Sequence, residues 1–184
     1  MTNSEIINLL QRITGIIALG LLTLQIYLGA NRKAIKFHML NGILAYTFVF
    51  IHPILFLLFR YFTIGKLDPL YVFVDVCVLC QGIYEHYINL GRIGFYLVTI
   101  AVIAVKFRNI SSWLKTNWRK LHILNYLAFY FVSFHSIFIG TDSRKPLFLI
   151  YFILLQIVVL GSIVKKLKAS TLIIDLKRTL HLKV

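Results

Sequence analysis

The sequence predicts an all-α integral membrane helical bundle with five transmembrane helices plus a short interfacial helix in the outer loop. Three observations predict it. Of the 184 residues, 59% are hydrophobic and 15% aromatic, and the mean hydropathy of +0.83 lies far above that of a soluble domain of this length. Several runs free of Asp, Glu, Lys and Arg are long enough to cross a bilayer, and the basic residues fall predominantly on one side of the resulting topology.

The first run, Ile13 to Ala30, follows MTNSEIINLLQR directly. That segment lacks a basic n-region and a small-residue cleavage site, so it is expected to stay uncleaved. The second run is Phe37 to Phe59, the fourth Leu121 to Thr141 and the fifth Pro146 to Val164. The third, Ile93 to Val105, is short for a span unless it extends back through Arg92. A sixth candidate, Tyr71 to Leu90, is interrupted by Asp75 and Glu85, which are costly at bilayer depth, and is read as an outer loop with a short interfacial helix.

Charge placement selects five spans over six. Arg32, Lys33 and Lys36, then Lys106, Arg108, Lys115, Arg119 and Lys120, then Lys165, Lys166, Lys168, Lys177, Arg178 and Lys183 fall on one side, together with a single acid, Asp175. A sixth span would move the Arg32 to Lys36 cluster to the opposite face. The N-terminus is therefore expected outside and the C-terminus in the cytoplasm of a prokaryotic cell, in its plasma membrane. The net charge of +14 is accounted for by inner loops facing anionic lipid, so no nucleic acid is expected as a partner. Residues 1–165 form the membrane domain, and residues 166–184 a basic amphipathic cytoplasmic tail that lies on the inner face or docks a donor protein. No GxGxxG or P-loop string is present, so soluble cofactor chemistry would have to come from a partner.

Four histidines lie in two of these spans. His38 and His52 are fourteen residues apart, and His122 and His135 thirteen. One span intervenes, so the two segments run in the same direction: His38 and His122 lie near the inner face, His52 and His135 near the outer. The levels are about 20 Å apart at 1.5 Å per residue. One imidazole from each of two helices is the ligand set of a haem b iron, and two levels provide for two haems. A tetrahedral zinc site wants four ligands converging on one point, which two separated pairs do not offer. A lone intramembrane His is often only an interhelical hydrogen-bond donor, but four matched in depth weigh against that. One detail resists: on an ideal helix fourteen residues return within about 40° of the starting direction, whereas thirteen leave about 140°. Either the helix carrying His122 and His135 is distorted or the two levels are laterally offset. Pro53, directly after His52, is expected to perturb its own helix one turn back.

The strings FHMLNGILAYTFVFIHP (Phe37 to Pro53), LGRIGFYLVTIAVIAV (Leu90 to Val105) and NWRKLHILNYLAFYFVSFH (Asn117 to His135) resemble the ferric reductase-like transmembrane domain. That family includes the membrane domains of NADPH oxidases and ferric reductases, and the haem subunit of the bacterial periplasmic methionine sulfoxide reductase system. The likeness spans about Arg12 to Lys165 and rests on the H-x13-H and H-x12-H spacings and the W-R-x-L-H string of Trp118 to His122. It implies two b haems, with His38 and His122 on the inner iron and His52 and His135 on the outer. The thirteen-residue spacing also occurs in that family. The oxidases and ferric reductases carry a C-terminal FAD and NADPH domain, whereas this chain resembles the stand-alone form. Electrons would pass from a cytoplasmic flavoprotein or quinone to an outer acceptor or partner redox subunit.

Haem propionates need cations near the membrane faces. Arg12 and Arg92 are expected to serve the outer haem, with Arg119 and Lys120 available to the inner; each is otherwise a snorkelling anchor. Phe48 and Phe129 lie midway between the levels, and Gly15, Gly20 and Gly42 allow close approach of helices or a macrocycle. Cys77 and Cys80 form a C-x-x-C with no thioredoxin-like context and are assigned no role, and His86 and His181 have no partner at matching depth. No residue is expected to act as acid, base or nucleophile. Whether the chain is an oxidoreductase alone or the haem-bearing anchor of a larger redox complex depends on the acceptor. A His-based proton-relay transporter is a third reading, against which no Asp or Glu lies within the five runs.

Overall fold

A computed structural model describes residues 2–31, 35–76 and 82–181, with side chains through residue 169. Cys77, Cys80, Arg32 and Lys33 lie outside the described residues, as do the side chains of the tail from residue 170 on, including His181. Among the described residues every regular element is an α-helix.

Helix α1 (Asn3–Ala30) opens with a capping box: the Thr2 hydroxyl accepts from the Glu5 N–H, while Glu5 accepts from the Thr2 N–H. Helix α2 (Ile35–Ile64) runs antiparallel to it and continues through Pro53. A one-turn helix, α3 (Pro69–Phe73), is started by Asp68, whose carboxylate accepts from the Tyr71 N–H. Helix α4 (Ile83–Lys106) is longer than its charge-free run, since it begins ten residues before Ile93. The expectation of a loop from Tyr71 to Leu90 is thus corrected: residues 83–90 belong to α4, and the short helix occupies Pro69–Phe73.

The physical reason is that the charges are satisfied locally. Arg92 is only 5% exposed, yet its Nε donates to the Val72 carbonyl at 3.3 Å, one Nη to the Asn89 side-chain oxygen at 2.6 Å, and the other to the Tyr71 carbonyl. Glu85 accepts from the Tyr71 hydroxyl at 2.9 Å. The turn of α3 therefore supplies carbonyls to the buried Arg92 guanidinium and a hydroxyl to Glu85, and Asp75 lies before α4, so the carboxylate cost that argued against a longer helix is met. Tyr71 itself is held above the usual phenol range by burial and by its bond to Glu85.

The run Leu121 to Thr141 is not one straight helix. It divides into α5 (Ser112–His122) and α6 (Leu124–Ile139), bent by about 40° at Ile123. Helix α7 (Pro146–His181) carries its backbone on from the last apolar run into the tail. Four helices are individually long and apolar enough to cross a membrane, and five if α5 and α6 are one bent span.

Packing follows hairpins. Helix α1 lies along α2, and α4 along α6, whereas contact between the two pairs is much thinner. The core between them is made by Leu19, Leu22, Ala45, Val98, Ala128 and Phe129, with α7 closing against α1. Polar bonds tie the layers: the Tyr151 hydroxyl donates to the Ile16 carbonyl at 2.8 Å, and the Gln156 amide to the Ser133 hydroxyl at 3.1 Å. The outward faces are rich in exposed Ile, Leu and Phe, as lipid-facing surfaces are.

Candidate functional site

The histidines meet across the thin seam between the two hairpins, in the pairing that the spacings predict. His38 and His122 face each other with ring centres 5.9 Å apart and ring planes at 82°. His52 and His135 do so at 6.3 Å and 90°. The angular objection to a thirteen-residue spacing assumed one continuous helix. His122 is the last residue of α5 and His135 sits in α6, so the two do not share one continuous helix and the ideal rotation does not apply.

At the outer level both rings are anchored from behind. His52 Nδ1 donates to the Gln11 carbonyl at 2.9 Å, and His135 Nδ1 to the Tyr87 carbonyl at 2.9 Å. That fixes the tautomer and leaves each Nε2 as a bare lone pair. Neither Nε2 has a hydrogen-bond partner among the described residues. Both rings line a cavity of about 320 Å³, within the range of ordinary ligand pockets. Its lining includes Gly15, Gly91, Arg12, Arg92 and Asp142.

At the inner level the anchoring differs. His38 Nδ1 donates to the Gln25 carbonyl at 3.1 Å, but the Gln25 side-chain amide donates to His38 Nε2 at 3.1 Å. Asn41 holds that amide by donating to its oxygen at 2.9 Å. His122 Nδ1 accepts from the Asn125 amide at 3.3 Å and has a backbone contact with Ala101.

The proposed cations separate. Arg12 and Arg92 both reach the outer cavity wall. Arg12 is already in an ion pair: its Nε donates to Asp142 at 2.7 Å, its Nη2 contacts the same carboxylate, and Lys145 adds a 2.6 Å contact. These bonds hold the Asp142 carboxyl below the usual carboxylate range. Arg119 is exposed, with its guanidinium 5.3 Å from the Trp118 ring centre, and Lys120 is exposed as well. Phe129 is fully buried in the core, and Phe48 is half-buried against that core.

Sequence reasoning missed Gln11, Gln25, Asn41, Tyr87 and Asn125, together with Gly29 and Gly91. The signal was the antiparallel register of α1 on α2. Gln25 stands against His38 and Gln11 against His52, so acceptors fourteen apart on α1 match histidines fourteen apart on α2.

Among the described residues no three His, Cys, Asp or Glu side chains converge as a metal cluster; what the fold assembles is two imidazoles per level. An imidazole nitrogen binds a first-row metal at about 2.0–2.1 Å, and the ring centre lies about 1.2 Å behind it, so two rings on one ion between them stand about 6.4 Å apart, centre to centre. The observed 6.3 Å and 5.9 Å fit that requirement. A carbonyl behind the non-ligating nitrogen is the usual support of a metal-bound imidazole. No protein-family model, curated protein or solved structure matches this chain.

Proposed function

We propose that this protein is a transmembrane cytochrome b of the ferric reductase-like type, conducting electrons across a prokaryotic plasma membrane. The observation that carries the reading is the pair of imidazoles brought together at each of two levels, spaced as two rings that would share one metal ion. His52 and His135 would hold the outer haem b iron, and His38 and His122 the inner one. Bound haem supplies reversible one-electron chemistry whose potential the axial ligands and their surroundings tune.

The chain's own contribution is to hold and insulate. The carbonyls of Gln11, Tyr87 and Gln25 orient three of the four rings. Arg12 and Arg92, on the outer cavity wall, are the cations for the outer propionates. Phe129 fills the dry interval between the levels. The bent pair α5 and α6 counts as one span in this reading, giving five, with the basic loops inside, α3 at the outer interface, and the tail on the cytoplasmic membrane face. A cytoplasmic flavoprotein or quinone is the donor, and an outer acceptor or redox subunit takes the electrons.

The test is a reduced-minus-oxidised spectrum of the purified full-length protein with haem quantified per chain. A b-type band with close to two haems per chain is expected. A colourless protein with all four histidines intact refutes the proposal.

A further inference from the structure

Resting on the haem reading, we propose that Gly15 and Gly91 are positioning residues which, with the carbonyls of Gln11 and Tyr87, lock the two outer imidazoles at right angles to each other. Rotation about the bond joining an imidazole to its Cβ is broad, so ligation through Nε2 alone does not fix the plane of the ring.

Two constraints on each ring do. The first is donation from Nδ1 to a helix carbonyl: Gln11 for His52, Tyr87 for His135. The second is the residue four positions later in that same helix, Gly15 after Gln11 and Gly91 after Tyr87. The carbonyl of residue i points toward residue i+4, whose N–H it already accepts. A ring that shares this carbonyl must lie across residue i+4. A Cβ on Gly15 would stand 2.9 Å from His52 Cε1 and 3.0 Å from its Nδ1. A Cβ on Gly91 would stand 2.6 Å from His135 Nδ1 and 2.7 Å from its Cε1. Only glycine leaves room for the ring in that plane.

The same couple occurs once more, with the Gln25 carbonyl and Gly29, where a Cβ would stand 3.2 Å from His38 Cε1. The two outer couples lie on different helices of different hairpins, α1 and α4. The 90° between the rings is therefore imposed by two separate pieces of backbone. Rings at right angles donate into different iron orbitals and leave those orbitals nearly equal in energy, whereas parallel rings split them. Electron paramagnetic resonance of the ferric protein reads that splitting directly.

The experiment is that spectrum on the purified, haem-loaded full chain and on Gly15→Ala, Gly91→Ala and Gly161→Ala. The wild type is expected to show single, strongly low-field lines, without the three-line rhombic pattern of parallel rings. Gly91→Ala, and more mildly Gly15→Ala, should shift or remove the outer line and leave the inner one. Gly161→Ala, whose added methyl meets nothing within 4 Å, should leave both unmoved. The proposal is overturned by rhombic signals from both haems in the wild type, a result that does not depend on any variant folding. It is equally overturned if Gly15→Ala and Gly91→Ala keep two haems and an unmoved outer line. A colourless wild-type chain would sink the haem reading itself, an outcome distinct from a coloured chain with the wrong spectrum.

Discussion

The outer and inner histidine pairs have the same composition, yet the fold prepares them differently. At the outer level two carbonyls hold Nδ1 of His52 and His135, neither Nε2 has a partner among the described residues, and both rings line a cavity. At the inner level the nitrogen of His38 that would ligate is occupied by the Gln25 amide, and His122 is held through Asn125 next to a break in its helix. The outer pair is set for a metal before one arrives. At the inner level His38 must give up the Gln25 amide before its Nε2 can take one. Prepared geometry lowers the cost of binding, since little remains to be ordered or desolvated at the moment of association.

Removing a ligand gives the largest effect and the sharpest test of that difference. His52→Ala and His135→Ala should each eliminate the outer haem, reducing the haem content of the full chain by half, while the inner signal persists. His38→Ala should eliminate the inner haem alone. Pyridine haemochrome quantification alongside the ferric resonance spectrum distinguishes the two. Loss of both haems from His38→Ala with the outer line gone would mean that the levels are not independently assembled, and the contrast drawn between them would fail.

The pairing of the four histidines was legible because a spacing of fourteen or thirteen residues on like-directed spans dictates matched depth, whatever the side-chain details. The beginning of α4 was not legible. Asp75 and Glu85 read as costly in isolation, but Asp75 lies before α4 and Glu85 is met by the Tyr71 hydroxyl once α3 folds against it. The break at Ile123 was foreshadowed only as an angular misfit, since no Pro or Gly marks it. Gln25, Asn41 and the carbonyl and glycine couples depend on which helix faces which, and thus on tertiary register. Gly15 was noted for close approach, but its neighbour, an imidazole edge, could not be named from the chain alone.

A smaller effect tests whether the inner pair is capped. Gln25→Leu removes the amide that donates to His38 Nε2 while leaving the Gln25 backbone carbonyl, which His38 Nδ1 uses, in place. Asn41 keeps a second acceptor, the Leu21 carbonyl at 2.9 Å, so no buried amide is stranded. A hydrogen bond of this kind contributes about 1 kcal/mol net, or roughly a fivefold change in an equilibrium. Inner haem should accordingly be retained about fivefold more tightly during competition with apomyoglobin, with outer retention unchanged. Weaker inner retention would show that Gln25 supports the bound state and does not compete with it.

The smallest expected effect lies at the outer mouth and depends on pH. Arg12 and Lys145 hold the Asp142 carboxyl below the ordinary carboxylate range, so the folded protein binds this proton less readily than the unfolded chain. The pair's contribution is therefore fully present above the unfolded carboxylate range and is lost as pH falls through the depressed folded value. Near neutrality it is flat. Arg12 is 29% exposed and Asp142 15%, so solvent screening keeps the contribution to about 1 kcal/mol or less. Thermal denaturation of wild type and Asp142→Asn should give curves that are offset at neutral pH and converge in acid. Because Arg12 lines the outer cavity and directly follows Gln11, whose carbonyl holds His52, the acid-dependent change should accompany loss of the outer haem only. An offset that stays constant from neutral to acid pH would assign the effect of the substitution to something other than the Arg12 ion pair, and would remove the link between this carboxylate and the prepared outer site.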